Sequence, residues 1–104
     1  MTSIEELIKQ IKSYNSNADF DLIKKSYNYG FNAHKGQYRA SGEIYFTHPV
    51  EVAKILIDLK LDESTIKTAL LHDTIEDTSR SLKQLELAFG KEVSQLVDGV
   101  TKLT

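Results

Sequence analysis

Apolar residues recur at three- and four-residue intervals along nearly the whole chain, and no segment alternates convincingly with period two. That pattern restricts the fold to helices packed on helices. Ile4, Leu7, Ile8 and Ile11 open the series, with Ser3 and Glu6 spaced as a capping box. A second helix uses Phe20, Ile23, Tyr27 and Phe31 and stops near Gly36. Residues 36–47 lose the helical period and contain two glycines, which predicts a loop with a short extended piece at Ile44–Phe46. His48-Pro49 opens a third helix, since proline is tolerated in a first turn. Val50, Val52, Ala53, Ile55, Leu56 and Ile57 make that helix apolar over much of its circumference, so it is expected to be central.

Asp62 caps a fourth helix that buries Ile66, Ala69, Leu70 and Ile75 and carries residues 72–78 as a continuous strip. Ser81 starts a fifth, with Leu82, Leu85 and Phe89 inward and Gly90 as its stop. Val93, Leu96, Val97 and Val100 mark a sixth. The expected fold is therefore all-α with about six helices. The apolar character persists through Val100-Thr-Lys-Leu-Thr104 without a polar tail, so the chain is expected to be truncated in mid-fold at its C-terminal side.

Length and charge exclude several functions. At 104 residues the chain suits one small domain. Thirteen basic against fifteen acidic residues leave no broad basic field for DNA, although a local Lys/Arg cluster could hold a small anion. There is no cysteine, which removes disulfide scaffolds, thiolate metal sites and cysteine nucleophiles. The acidic, amphipathic start is not a secretory signal, and no apolar run is long enough to span a bilayer. A cytoplasmic protein with no membrane partner is expected.

The chemistry concentrates in Leu71-His72-Asp73-Thr-Ile-Glu76-Asp77-Thr78. On one helix, His72 would lie a turn from Glu76 and Asp73 a turn from Asp77. Three acids and an imidazole on one strip are electrostatically costly unless a cation offsets them. A solvated acidic strip is the plain alternative. Leu70, Leu71 and Ile75 interleave with the polar residues, however, and imply burial, for which a metal partner is expected. His48 taken singly reads as a cap or a hydrogen-bonded core residue. Joined to His72 and Asp73, it completes a mixed nitrogen and oxygen set suited to Mn²⁺, Fe²⁺ or Zn²⁺. The strip reads as a metal-dependent hydrolase site. Arg39, with Lys35 nearby, reads either as an exposed loop arginine or as a group that stacks on a base or forks onto phosphate. His34 reads as a cap at the end of the second helix. Tyr27, Tyr29, Phe31, Tyr38, Tyr45 and Phe46 should be mostly core or pocket wall.

Two segments in order carry a resemblance: Ala33-His34-Lys-Gly36-Gln37-Tyr-Arg39-Ala-Ser41-Gly42-Glu43-Ile-Tyr45-Phe-Thr-His48-Pro49, then Leu71-His72-Asp73-Thr-Ile-Glu76-Asp77-Thr78. Phe89-Gly90 and Val100-Thr-Lys-Leu103 follow at plausible intervals. Together they resemble the N-terminal hydrolase domain of the RelA/SpoT alarmone family, within the HD phosphohydrolase superfamily. The resemblance implies an HD-type helical fold that removes the 3′-pyrophosphate from ppGpp and pppGpp using Mn²⁺. It implies that His48, His72 and Asp73 ligate the metal, and that Glu76 and Asp77 orient or activate water. Arg39 would pack on guanine and Ser41 would help form the nucleotide pocket.

Ala40 and Ile44 stand where the family usually has lysine and proline, which removes a cation and loosens the loop. The family's further metal-binding aspartate lies downstream of the Val-Thr-Lys-Leu segment. Residues 1–104 are thus expected to be a partial domain of this type, without synthetase or regulatory domains. Three functions compete on this reading. One is an alarmone hydrolase, either a weak one or half of a split one; one is a non-catalytic remnant that binds itself or a complementary RelA/SpoT-type polypeptide through exposed C-terminal helices. The third is a hydrolase of another nucleotide phosphoester.

Overall fold

The computed structural model describes residues 1–103, so Thr104, the last residue of the apolar ending, lies outside the described residues. Seven helical elements follow one another: α1 (Ile4–Lys12), α2 (Phe20–Ala33), α3 (Thr47–Asp58), α4 (Glu63–Leu71), α5 (Thr74–Asp77), α6 (Leu82–Phe89) and α7 (Lys91–Leu103). Among the described residues the only β-pairing is an isolated bridge between Tyr38 and Ile44. No helix among them is long and apolar enough to cross a membrane.

Four of the starts carry a side-chain cap, and three of these, Ser3, Asp62 and Ser81, were legible in the sequence. Ser3, Asp19, Asp62 and Ser81 accept hydrogen bonds from Glu6, Leu22, Thr65 and Gln84 amides at 3.0–3.2 Å. Ser81 and Gln84 form a reciprocal capping box.

Two expectations need correction. The central helix is α4, not α3. All six residues from Ile66 to Leu71 are buried, whereas Ile55 of α3 is 60% exposed and Val52 and Leu56 are only half-buried. Leu70 packs into one apolar cluster with Leu7, Ile11, Ile23, Phe46, Val50 and Ile57. Its neighbour Leu71 packs into a second with Leu85, Phe89, Val93 and Val97. A helix that feeds cores on two sides must be apolar on both, and α4 meets that need even with Lys67 inside, paired to Glu63 at 3.2 Å.

The second correction concerns continuity. The expected fourth helix breaks at His72-Asp73, and residues 74–77 form a separate single turn. Backbone dihedrals stay right-handed through the break, but side chains take the helix carbonyls. The His72 ring donates to the Ala69 carbonyl at 2.8 Å, and the Thr74 hydroxyl donates to the Leu71 carbonyl at 2.7 Å. Such captures compete with the helical ladder.

The α3–α4 connection sets which ends meet. Lys60 takes a left-handed conformation (φ 59°); the Leu61 amide reaches back to the Leu56 carbonyl and the Lys60 amide to that of Ile57. This double link closes α3 and turns the chain back sharply. The start of α3, with His48, therefore lies beside the end of α4, with His72.

Gly30 of α2 permits close approach to α4. A β-carbon there would sit 2.7 Å from the Leu70 carbonyl oxygen and collide with the Phe46 ring. Gly30→Ala is expected to destabilise the fold by about 1–3 kcal/mol through overpacking, read as a lowered urea midpoint.

Candidate metal centre

His48, in the first turn of α3, and His72-Asp73, just past α4, converge. One ligand atom from each lies within 4.8 Å of the other two, with both histidines half-buried and Asp73 buried. Donors bonded to one ion at about 2.0–2.2 Å stand roughly 3 Å apart when adjacent and up to about 4.4 Å when opposite. The triad is thus a short inward adjustment from ligation.

Neighbouring groups already aim the donor atoms. Because His72 Nδ1 donates to Ala69, its Nε2 is left to face the site, 3.1 Å from Asp73 Oδ1. Tyr45 donates its hydroxyl to Asp73 Oδ2 at 2.8 Å, which leaves Oδ1 toward the imidazole. A fixed tautomer and a tied carboxylate are what a ligating set requires of its surroundings. The chemistry of the set therefore fits a divalent ion.

The electrostatics agree. The hydrogen bond to Asp73 raises the His72 imidazole above its ordinary value, outweighing burial. Burial alone would raise the Asp73 carboxyl, but hydrogen bonds from His72 and Tyr45 hold it below the usual carboxylate range. Burial, followed by the Asp73 hydrogen bond, pushes the Tyr45 phenol strongly up, so it remains a donor rather than a base.

Glu76 and Asp77 lie on α5 and are exposed, not buried as the interleaved leucines suggested. The break after Leu71 lets the buried face continue into Thr74 while the two acids turn outward. Both remain electrostatically coupled to the site: Glu76 acts on His72, and Asp77 acts on Tyr45 through charge and a side-chain hydrogen bond.

Arg39 and Ser41 contact other partners. They belong to a tight turn in which the Gly42 amide donates to the Arg39 carbonyl at 2.9 Å and Gly42 has φ 92°. Arg39 pairs with Glu51 of α3 at 3.4 Å, and the Ser41 hydroxyl donates to Glu43 at 3.3 Å. The expected extended piece reduces to the one Tyr38–Ile44 bridge that closes this turn. His34 is the α2 C-cap as expected, and it is buried. Tyr27 and Phe46 are core; Tyr38 is 65% exposed. Sequence reasoning missed Tyr45 and Gln37 as partners of the acids, because their reach depends on how the loop folds back. Beside His72, an apolar groove of about 190 Å³ runs between Val52, Leu56, Ala69 and Val100.

A family model described as HD domain matches residues 26–104. This chain belongs to the HD-domain family. It is also 55% identical over 94 residues to a GTP pyrophosphokinase of Myxococcus xanthus, covering 90% of this chain and 12% of that protein. The GTP pyrophosphokinase rsh of Brucella melitensis is 48% identical over 98 residues, 94% of this chain and 13% of that protein. The bifunctional (p)ppGpp synthase/hydrolase SpoT of Escherichia coli is 46% identical over 103 residues, 99% of this chain and 15% of that protein. The chain thus corresponds to between 12% and 15% of the length of these relatives.

The pair His72–Asp73 makes metal-free stability depend on pH. A raised histidine contributes fully below its unfolded value near pH 6.5 and loses the contribution as pH rises through its folded midpoint. A depressed aspartate contributes above about pH 3.9 and loses it as pH falls through its folded midpoint. In chelator, the urea midpoint is expected to decline from pH 6 toward alkaline pH through this pair, and His72→Gln should flatten that limb.

Proposed function

We propose that this HD domain is a Mn²⁺-dependent hydrolase that removes the 3′-pyrophosphate from guanosine 3′,5′-bis(diphosphate) and its pentaphosphate analogue, degrading the alarmone in the cytoplasm. The convergence of His48, His72 and Asp73, with Ala69 and Tyr45 fixing which atoms face inward, is the observation that carries this reading. The identity to a protein named as a (p)ppGpp synthase/hydrolase supports the substrate class.

In this proposal His48 Nε2 or Nδ1, His72 Nε2 and Asp73 Oδ1 hold the ion, a nitrogen and oxygen set compatible with manganese. A divalent ion there supplies Lewis acidity toward a phosphoryl group and toward water. Asp77 and Glu76, exposed on α5, orient the attacking water and accept its proton. Water adds to the phosphorus attached to the 3′ oxygen. The bond between them breaks, and the proton taken from water passes on to the 3′ oxygen, releasing pyrophosphate and guanosine 5′-diphosphate with a free 3′ hydroxyl. Tyr45 stays protonated and holds Asp73 in place. Arg39, anchored at one end by Glu51, offers its planar face to guanine, and Ser41 adds a hydroxyl to the nucleotide pocket.

A second reading is favoured by the open apolar groove beside His72: the domain binds a second copy of itself or a complementary RelA/SpoT-type chain there without turning over nucleotide.

Purified protein is expected to release pyrophosphate from ppGpp only with Mn²⁺, and His72→Ala/Asp73→Ala to reduce this to background. Mn²⁺ should raise the melting temperature of the native chain but not of the double variant. Folded, Mn²⁺-binding protein without turnover would overturn the hydrolase reading, and self-association in sedimentation would then favour the second. Arg39→Ala is expected to raise KM about tenfold with kcat nearly unchanged, as for loss of uniform binding.

A further inference from the structure

We infer that His34 and Gln37 are positioning residues that clamp the Asp77 end of α5 and tie it to the Arg39 turn. This deepens the hydrolase proposal and rests on it for its catalytic consequence. The clamp itself is a matter of hydrogen-bond polarity. The Asp77 carbonyl can only accept, so the Gln37 side-chain nitrogen must face it, at 2.6 Å. The Gln37 side-chain oxygen then faces His34, which must donate from Nδ1 at 3.0 Å. One arrangement of protons satisfies both contacts.

His34 is well placed to fix that arrangement. It is 2% exposed at the end of α2, its ring 4.8 Å from the Tyr45 ring and 6.4 Å from Phe46. The backbone repeats the link: the Gln37 amide donates to the His34 carbonyl at 3.0 Å, and the Tyr45 amide donates to the Gln37 carbonyl at 2.9 Å. Gln37 therefore joins the end of α2, the segment leading to His48, and the end of α5. Tyr45 meanwhile holds Asp73 by its hydroxyl.

The need for such ties follows from α5 itself. A four-residue turn cannot hold its own geometry, since helix nucleation is unfavourable at that length. Asp73 and Asp77 sit at its two ends, and both are pinned from the same loop, Asp73 through Tyr45 and Asp77 through Gln37. Arg39 lies two residues beyond Gln37. A nucleotide that settles the Arg39 turn therefore also settles the carboxylate that handles water.

Four variants test this. Gln37→Glu keeps the shape and the His34 contact but turns an oxygen toward the Asp77 carbonyl, and Gln37→Met removes both contacts. His34→Leu removes the donor, and His34→Asn restores one near the Nδ1 position. The measurements are kcat and KM for ppGpp, Mn²⁺ affinity by calorimetry, and amide hydrogen exchange at residues 74–78. Both Gln37 variants and His34→Leu should lower kcat about tenfold or more, with KM and Mn²⁺ affinity within about twofold of native. Exchange at 74–78 should quicken while α4 stays protected, and His34→Asn should recover most of both. Native kcat and native exchange in Gln37→Glu would overturn the clamp, as would a loss of Mn²⁺ affinity equal to the loss of kcat. If the native chain does not turn over ppGpp, the hydrolase reading falls. The clamp is then decided by exchange alone, supported by quickening confined to 74–78 and overturned by its absence.

Discussion

The burial of α4 on both sides is the constraint on which the remaining structure depends. Leu70 and Leu71 are adjacent in sequence yet enter different apolar clusters, so α1 and α3 gather on one side, α6 and α7 on the other, and α2 borders both. A helix so enclosed cannot shift or rotate without exposing apolar surface on one side and overpacking on the other. Its end is therefore a fixed point, and the His72-Asp73 pair is mounted there. The Schellman-type turn at Lys60 then brings His48 to the same place, and the candidate metal centre arises where the two helix ends meet.

The break after Leu71 gives that end its chemistry. Had the helix continued, His72 and Asp73 would have shared one ladder with Glu76 and Asp77. Instead, the His72 ring and the Thr74 hydroxyl capture the carbonyls of Ala69 and Leu71. The same contact that interrupts the helix fixes the imidazole tautomer, so local disruption and ligand geometry have one cause. The acids downstream swing outward to water, where a proton acceptor is useful, while Asp73 stays buried and hydrogen-bonded.

The loop between α2 and α3 divides into two parts over a few residues. Its tip, Arg39 to Gly42, is exposed and shaped by a turn that requires glycine at its close. Its base, Gln37 and Tyr45, reaches α5 and Asp73. Under the proposed function, recognition and positioning share one short backbone segment. In the proposed hydrolase this offers a direct physical route between nucleotide contact and the placement of the acids.

Much of this protein was legible in the chain itself. The caps Ser3, Asp62 and Ser81, the helical spacing of the apolar residues and the stop at Gly90 depend on neighbours within one turn, so local sequence determines them. The residue types His48, His72 and Asp73 pointed to a metal because few other partners suit that set. Tertiary structure decided the rest. Whether α3 or α4 is central depends on which apolar faces find partners, and Ile55 finds little among the described residues while Ile66 through Leu71 are all buried. The reach of Tyr45 and Gln37 to the acids rests on contacts across 28 and 40 residues of chain. Periodicity reports which face of a segment is apolar, but not what that face will meet. Only packing brings the distant partner and fixes the side chain against it.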